Sequence, residues 1–251
     1  MDSAERHELI LRALRDRDRV PVAELAELTG CSEMTVRRDL DLLERNGLLR
    51  RVRGAAVGVL TGEETPYPAR SRHQVAAKQR IGAAVADLID DGESVALDSG
   101  TTTLEVAKCL VDRRLTVLPL SLHAVDVLRG SDQLRLVVPG GDLRPAEQSF
   151  VGPLTEHVFD VVRLDTAVLG CCGITARDGV SAYDLGEAQV KRAAVHASKR
   201  VIAAVDSSKL GRTAFGRVCP VSDVHVLVTD SAAPAEQVEQ FQAQGVEVVL
   251  V

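Results

Sequence analysis

The sequence predicts an α/β protein with an N-terminal winged helix-turn-helix and a C-terminal, mostly parallel α/β domain. Two observations predict this architecture. Residues 1–58 contain two short amphipathic helices, a glycine turn and an arginine-rich alternating segment. Residues 75–251 alternate apolar strand-like runs with helical patterns, which is typical of a parallel sheet covered on both faces. The polar, proline-containing residues 59–74 between them are predicted to be a linker.

Three helices are predicted before the arginine-rich segment, and the first two end before Gly30. A helix over residues 3–16 places four apolar side chains on its inner face, namely Leu9, Ile10, Ala13 and Leu14. The next helix turns Val22, Leu25 and Leu28 inward, and Gly30 opens the tight turn that follows it. The second helix, this turn and the third helix together are expected to form a helix-turn-helix.

The third helix is predicted to be the DNA-recognition helix. Ser32 is a favourable N-cap, and the Asn46-Gly47 pair is expected to end the helix. Between them an apolar stripe with helical spacing comprises Val36, Leu40 and Leu43. The second helix of a helix-turn-helix enters the major groove of DNA.

An arginine-rich wing is predicted after the recognition helix. Residues 48–54 alternate like a strand, Gly54 turns the chain, and residues 55–59 can return beside it. The candidate DNA-binding side chains lie on the helix (Ser32, Thr35, Arg37 and Arg38) and on the wing (Arg50, Arg51 and Arg53). The helix side chains would face the major groove. The wing arginines would lie along phosphates, or one of them would enter the minor groove. An alternative is a three-helix protein-interaction module or a cap on another domain, although clustered arginines favour DNA.

Charge and composition set the broad class of protein. The formal net charge is −6, yet residues 1–58 hold 11 Arg, no Lys and 11 acidic residues, so the excess negative charge lies beyond them. An acidic body with a locally basic head is compatible with duplex binding. No apolar run is long enough to span a bilayer and no signal peptide is evident, so we expect a cytoplasmic protein. The absence of Trp and the 2% aromatic content argue against proteins that stack single-stranded bases.

The five cysteines and the absence of metal-ligand spacing predict no metal site. They are scattered and show no CxxC or Cys/His pattern, so we expect small buried thiols in a reducing compartment. No cofactor is expected either.

The C-terminal domain is predicted to contain seven strands and five helices. The strands are expected at residues 94–98, 115–118, 134–138, 166–170, 200–205, 224–229 and 246–251. The helices are expected at residues 75–90, 103–110, 123–128, 187–198 and 234–244. In sheets of this kind, ligands bind beyond the carboxyl ends of the strands.

A phosphate cradle is predicted after the first of these strands. Asp98, Ser99, Gly100, Thr101, Thr102 and Thr103 form a polar loop that leads directly into a helix. Glycine lets the backbone approach a ligand closely, and the helix N-terminus offers free N–H groups and a positive dipole end. The alternative is a turn in which Ser and Thr merely cap a helix.

Further candidate effector-binding residues follow the other strands. They are Ser121, Gly140, Gly141, Gly170, Asp206 and Lys209. Glu187 and Lys191 lie four residues apart on one helix face and complete the candidate set. The alternative for this last pair is a surface ion pair worth a few tenths of a kcal/mol. Several loops that can bind an anion are expected at the same edge of the sheet, which favours a binding site for an anionic ligand.

The chain resembles the DeoR family of bacterial sugar-metabolism regulators over nearly its full length. The matching segments of the head include Thr35-Val-Arg-Arg-Asp-Leu40 and Arg51-Val-Arg-Gly-Ala-Ala56, and those of the body include Lys78-Gln-Arg-Ile-Gly82, Asp98–Thr103, Gly140-Gly141, Asp178-Gly179, Glu187 with Lys191, Asp206-Ser-Ser-Lys209 and Thr229-Asp230. The resemblance implies a sensor domain similar to ribose-phosphate isomerases and CoA transferases that binds a phosphorylated sugar or related metabolite. One departure is Pro119-Leu120-Ser121, where the family often has Thr-Asn-Ser. It removes a polar contact to the sugar.

The resemblance implies a homodimeric or homotetrameric transcriptional regulator rather than an enzyme. We expect a repressor of carbohydrate genes that binds double-stranded operator DNA and is released by a phosphorylated sugar. The alternative is a sugar-phosphate isomerase or deaminase with an accessory DNA-binding head. Its acid/base and charge-stabilising groups would then be Glu187, Lys191, Asp206 and Lys209.

Overall fold

The computed structural model describes residues 2–17, 19–45, 49–58 and 64–251. The chain divides into two compact units, Met1–His73 and Gln74–Val251, and each is described by itself below.

The N-terminal unit is a winged helix-turn-helix, as predicted. Its elements are α1 (Ser3–Asp16), β1 (Arg19–Pro21), α2 (Val22–Thr29), α3 (Glu33–Arg45), β2 (Leu49–Val52), β3 (Ala55–Gly58) and α4 (Tyr67–Arg70). The three strands form an antiparallel sheet in the order β1-β3-β2. The sequence pattern did not predict β1, because three residues are too few to show alternation.

The predicted apolar faces account for most of the core of this unit. Buried side chains come from all three long helices, including Ile10, Leu14, Leu25, Val36, Leu40 and Leu43. The prediction for Leu28 is wrong, since this side chain is 46% exposed. Thr29 is buried in its place, and its hydroxyl donates to the carbonyl oxygen of Leu25 at 2.7 Å, which satisfies the buried polar group. The predicted helix stop at Asn46-Gly47 lies outside the described residues.

The C-terminal unit is built around a fully parallel seven-stranded sheet. Its elements are α5 (Val75–Asp87), β4 (Ser94–Leu97), α6 (Thr101–Leu110), β5 (Thr116–Pro119), α7 (Leu122–Leu128), β6 (Arg135–Leu136), β7 (Asp142–Arg144), β8 (Ser149–Val151), α8 (Pro153–Val161), β9 (Leu164–Leu169), β10 (Gly173–Thr175), β11 (Gly179–Ala182), α9 (Leu185–Ala197), β12 (Ser198–Ala204), β13 (Gly216–Cys219), β14 (Val226–Thr229), α10 (Ala235–Ala243) and β15 (Glu247–Leu250). The large sheet has the order β15-β14-β12-β9-β4-β5-β6. Every pairing in it is parallel, so all its strands end at one edge.

Apolar side chains pack against both faces of this sheet. Neighbouring residues of one strand divide between the two cores: Val168 belongs to one hydrophobic cluster, while Ala167 and Leu169 belong to the other. This pattern explains why the strands read as continuous apolar runs instead of alternating ones.

Several short elements were not predicted. The β7–β8 hairpin, helix α8 and the small antiparallel sheet β10-β11-β13 all lie between predicted strands. Their strands have three or four residues each, which is too short to show an alternating pattern in the sequence. Helix α6 also begins at Thr101, two residues before the predicted start, so Thr101–Thr103 form its first turn.

The thiols differ in exposure, which corrects one expectation. Cys172 and Cys219 are buried as predicted, whereas Cys109 on α6 is exposed. Across the described ranges, no helix combines the length and apolar character that crossing a membrane requires.

Candidate functional site

The first candidate site is the exposed surface of helix α3 and the β2–β3 wing. Helix α3 begins directly after Ser32, whose hydroxyl oxygen accepts from the backbone N–H of Thr35 at 3.2 Å. The two hydroxyl groups lie 3.0 Å apart. This cap satisfies one of the free donors at the start of the helix and fixes the direction in which its first turn points.

The two neighbouring arginines of α3 differ in their partners. Arg37 donates to the Glu33 carboxylate at 2.8 Å, one turn earlier on the exposed face. Arg38 is also exposed, and its guanidinium makes no hydrogen bond or ion pair with any residue that the structure describes. Arg38 therefore presents an uncompensated positive charge, whereas that of Arg37 is partly neutralised.

The wing is tied to the recognition helix through Arg51. Its guanidinium forms an ion pair with Asp41, and its backbone N–H donates to the Glu44 carboxylate at 2.7 Å. Arg50 lies in β2. Arg53 is exposed beside Gly54, at the turn of the wing, and has no ion-pair partner within the described ranges. Of the predicted wing arginines, Arg51 thus fixes the wing and Arg53 is open to a ligand, while the side chain of Arg50 lies outside the described part of the structure.

A buried carboxylate that the sequence reasoning missed anchors α3 to α1. Asp39 is 7% exposed and accepts from Arg6 at 2.5 Å and from the His7 ring at 2.9 Å. The hydrogen bond from Arg6 lowers the pKa of Asp39, against the opposing effect of burial. The signal in the sequence was an acidic residue beside the apolar stripe, three positions after Val36.

We expect Asp39→Asn to reduce the acid sensitivity of the N-terminal unit. A folded-state pKa below the ordinary value of 3.8 stabilises the fold above that value, and this stability is lost as the pH falls through the folded-state pKa. Thermal unfolding of the full chain, followed by circular dichroism from neutral pH to about pH 3, measures the effect. The variant should be less stable at neutral pH and lose less on acidification. Asp126→Asn, which alters an exposed pair with Arg129, is the control and should behave like the unmodified chain.

The second candidate site lies at the carboxyl-end edge of the parallel sheet and is centred on Asp98. This carboxylate follows β4 and is 2% exposed. It accepts from the backbone N–H of Ser99 at 2.8 Å and from that of Gly170 at 2.9 Å. The Lys191 ammonium donates to the same carboxylate. Asp98 therefore joins the ends of two neighbouring strands to helix α9.

Lys191 and Glu187 are both buried, at 4% and 5% exposure, so the surface-pair alternative is wrong. Burial by itself lowers the pKa of Lys191, but the carboxylates of Asp98 and Glu187 outweigh it and hold that pKa above its ordinary value. Glu187 accepts from the Ser149 hydroxyl at 2.5 Å and from Arg144 at 3.2 Å. The two residues are thus held by different partners.

The β7–β8 hairpin contributes residues to this site that the sequence reasoning did not identify. Ser149 is 1% exposed and Phe150 is 8% exposed, and both line the same cleft as Asp98. Arg144 also pairs with Asp184, the N-cap of α9, at 3.4 Å. Of these features, the sequence indicates only that Asp184 caps α9, since Asp184 and Glu187 have the spacing of a capping box.

The start of α6 has the properties of an anion-binding site. Gly100 precedes the helix with φ of 137°, a conformation that favours glycine. The backbone N–H groups of Thr101, Thr102 and Thr103 have no hydrogen-bond partner in the described part of the chain. The Thr103 hydroxyl donates to the Gly100 carbonyl at 3.1 Å, so it is already engaged.

The other predicted effector residues have identifiable structural roles at the same sheet edge. Ser121 caps α7 by accepting from the N–H of Ala124 at 3.3 Å. A side chain at Gly141 would collide with Thr155, whose hydroxyl donates to the Gly140 carbonyl at 2.7 Å. A side chain at Gly170 would lie 3.1 Å from the Ser99 carbonyl oxygen, which explains the glycine.

Asp206 and Lys209 lie after strand β12. Asp206 is buried and accepts from the backbone N–H of Ser208 at 3.1 Å. Lys209 is half-buried and makes no ion pair with any residue described in the structure. Burial raises the pKa of the nearby Cys171 thiol, while the charges of Lys209 and Lys191 act in the opposite direction. The ammonium groups of Lys209 and Lys191 therefore both contribute positive potential at Cys171, directly after the end of β9.

The cleft between these residues is narrow. It is lined by Asp98, Ser99, Leu120, Ser149, Phe150, Glu187, Val190 and Lys191, and these side chains leave no room between them for even a water-sized molecule. Pockets that enclose small-molecule ligands have volumes of about 300–1,000 Å³. A sugar phosphate would need the cleft to widen.

Both units match known protein families. Residues 6–60 match the family described as the DeoR-like helix-turn-helix domain, and residues 73–231 match the DeoR C terminal sensor domain. The transcriptional repressor AccR of Agrobacterium fabrum is 36% identical over 90% of this chain and 89% of its own. The glycerol-3-phosphate regulon repressor of Escherichia coli K12 is 30% identical over the full length of both chains. Among solved structures, ribose 5-phosphate isomerase A from Methanocaldococcus jannaschii gives a TM-score of 0.42 at 16% identity, with 55% of each chain covered.

Proposed function

Because the chain belongs to the DeoR family of transcriptional regulators, we propose that it is a repressor that a phosphorylated sugar or related metabolite releases from operator DNA. The observation that carries the proposal is the combination of two features in one chain. One is a capped helix with an exposed arginine and a wing, and the other is a sheet edge with unpaired N–H groups at a helix start. The first feature suits DNA and the second suits an anionic metabolite.

Operator binding is proposed to use α3 in the major groove and the wing against the backbone. Arg38 is the best candidate for a base contact, because its charge is exposed and unpaired among the described residues. Arg53 would contact phosphate in the same way, while Arg51 would hold the wing at its angle to α3 through Asp41. Ser32, Thr35, Arg37 and Arg50 complete the proposed surface.

Effector binding is proposed to use the N-terminus of α6 as the phosphate cradle. The N–H groups of Thr101–Thr103 and the hydroxyls of Ser99, Thr101 and Thr102 supply donors, and Lys209 supplies a nearby positive charge. Lys191 is less available, since Asp98 already neutralises it. The effector would have to widen the cleft at the β7–β8 hairpin, where Ser149 and Arg144 bond to Glu187.

Regulation without catalysis is favoured over the isomerase or deaminase alternative. Three of the four candidate acid/base groups are already engaged: Glu187 accepts two hydrogen bonds, Lys191 is paired with Asp98, and Asp206 accepts from the backbone N–H of Ser208. Proton transfer by a side chain requires it to reach the reacting atom. We further propose a homodimer or homotetramer, because two recognition helices must reach half-sites about 34–36 Å apart on DNA.

We expect Thr101→Ala and Thr102→Ala to weaken binding of phosphorylated ligands selectively. Each hydroxyl would donate to the phosphate and has no counterpart in an unphosphorylated sugar. The probes are a panel of sugar and polyol phosphates with their parents, beginning with glycerol 3-phosphate, and calorimetry on the full chain measures each affinity. Loss of a hydrogen bond to a charged group should weaken binding by about 10- to 150-fold. The control is Thr116→Ala, at the amino end of strand β5 of the same sheet, which should leave the affinity unchanged.

The same compounds test the link to DNA. An effector that weakens DNA binding by a given factor must itself bind that much more weakly when the protein is saturated with DNA, and typical factors are about 5–150. Equal affinities for every phosphate and its parent would contradict the cradle. Turnover of a sugar phosphate together with unchanged DNA affinity would instead support the enzyme.

A further inference from the structure

An exposed methionine lies in the first turn of the recognition helix. Met34 is 61% exposed, follows the capping Ser32 by two residues, and lies on α3 at the end that the helix-turn-helix geometry directs towards base edges. Neither the winged-helix fold nor the core of the N-terminal unit uses this side chain.

The neighbours of Met34 in this turn are all occupied by other contacts. Glu33 accepts the hydrogen bond from Arg37, and the hydroxyl of Thr35 lies against that of Ser32. Val36 is fully buried. Met34 is therefore the side chain of the first turn that remains available for a partner.

Met34 and Arg38 share one face of α3, because residues four apart in a helix are neighbours on its surface. They are separated by about 6 Å along the helix axis, which corresponds to roughly two base-pair steps of DNA. Arginine pairs with guanine in the major groove, and an apolar side chain contacts the methyl group of thymine. The two side chains together can thus read two different bases.

We infer that Met34 determines operator specificity by packing against the methyl group of a thymine one to two base pairs from the guanine that Arg38 contacts. This inference rests on the proposed function, since it requires α3 to lie in the major groove. The contact is apolar, so it adds sequence preference without adding to the salt dependence of binding.

The probe is a duplex selected from a randomised library by the full-length protein. Each thymine in one half-site is then replaced by deoxyuridine, which lacks the methyl group and keeps the same hydrogen-bonding pattern. At one thymine, the replacement should weaken binding by the unmodified protein about three- to fivefold, the value expected for exposing one buried methyl group.

Two variants connect the effect to the side chain. Met34→Ala should bind the thymine duplex as weakly as the unmodified protein binds the deoxyuridine duplex, and it should not distinguish the two. Met34→Leu keeps an apolar side chain of similar volume and should retain the preference. Because Met34 is exposed, its replacement should leave the thermal unfolding midpoint unchanged, which circular dichroism checks.

The outcomes distinguish a failure of this inference from a failure of the proposed DNA-binding function on which it rests. Selection of a duplex that tolerates deoxyuridine at every thymine would overturn the role of Met34 while leaving operator binding intact. Equal discrimination by Met34→Ala and the unmodified protein would overturn it in the same way. If the library yields no bound duplex at all, the proposed DNA-binding function fails, and the inference fails with it.

Discussion

Replacement of Lys191 by Met should lower the free energy of unfolding by about 3–5 kcal/mol, because it leaves the Asp98 carboxylate buried without its partner charge. Both residues are almost inaccessible to solvent, at 4% exposure for Lys191 and 2% for Asp98. Urea unfolding followed by far-ultraviolet circular dichroism measures the change, since the chain has no Trp to report by fluorescence.

The matched control is the same substitution at an exposed lysine. Lys199 pairs with Asp165 at 2.9 Å but is 79% exposed, so Lys199→Met should change stability little. Addition of Asp98→Asn to Lys191→Met removes the unpaired charge and should recover part of the loss. A Lys191→Met protein as stable as Lys199→Met would contradict the view that this pair holds β4, β9 and α9 together.

Arg38→Ala should weaken operator binding by about 1–3 kcal/mol, whereas Arg37→Ala should weaken it less. The prediction follows from their partners: Glu33 engages Arg37, while Arg38 has no partner among the residues described. Fluorescence anisotropy with a labelled duplex from the library selection measures both variants under the same salt concentration.

The base dependence of the loss identifies the kind of contact. If Arg38 contacts a base, the Arg38→Ala protein should lose its sequence preference at one base pair. If Arg53 contacts a phosphate, Arg53→Ala should lower the affinity for all sequences alike and reduce the salt dependence of binding. Arg17→Ala is a control outside the recognition helix, since Arg17 pairs with Glu24. Equal losses for Arg37→Ala and Arg38→Ala would show that the Glu33 contact does not separate the two arginines.

Long periodic elements could be predicted from the sequence, because one helix face or one strand run carries enough residues to show its pattern. Helix α3 is the clearest case: Ser32 and the apolar stripe through Leu43 are placed as expected. The parallel sheet could be predicted for the same reason, with most strand ends displaced by one or two residues.

The contacts that close the candidate effector site could not be predicted. Arg144 and Ser149 come from a hairpin with three-residue strands, and they meet Glu187 across about 40 positions of sequence. Asp98 and Lys191 were both predicted as ligand contacts, yet their direct pairing depends on the order of β4 and β9 in the sheet. Spacing along the chain does not contain that information. The roles of these residues in effector binding stay predictions.

The separation of a buried and an exposed face on helix α3 affects how the DNA specificity of such regulators can diverge. One face of α3, with Val36, Asp39 and Leu40, is buried and makes contacts that the fold requires. The opposite face, with Met34 and Arg38, is exposed and makes no such contact with the described residues. Substitutions on the outer face can therefore accumulate after gene duplication at almost no cost in stability. A duplicated copy can acquire a new set of target promoters before any core residue changes. The same separation makes α3 suited to engineered retargeting by exchange of its outer residues alone.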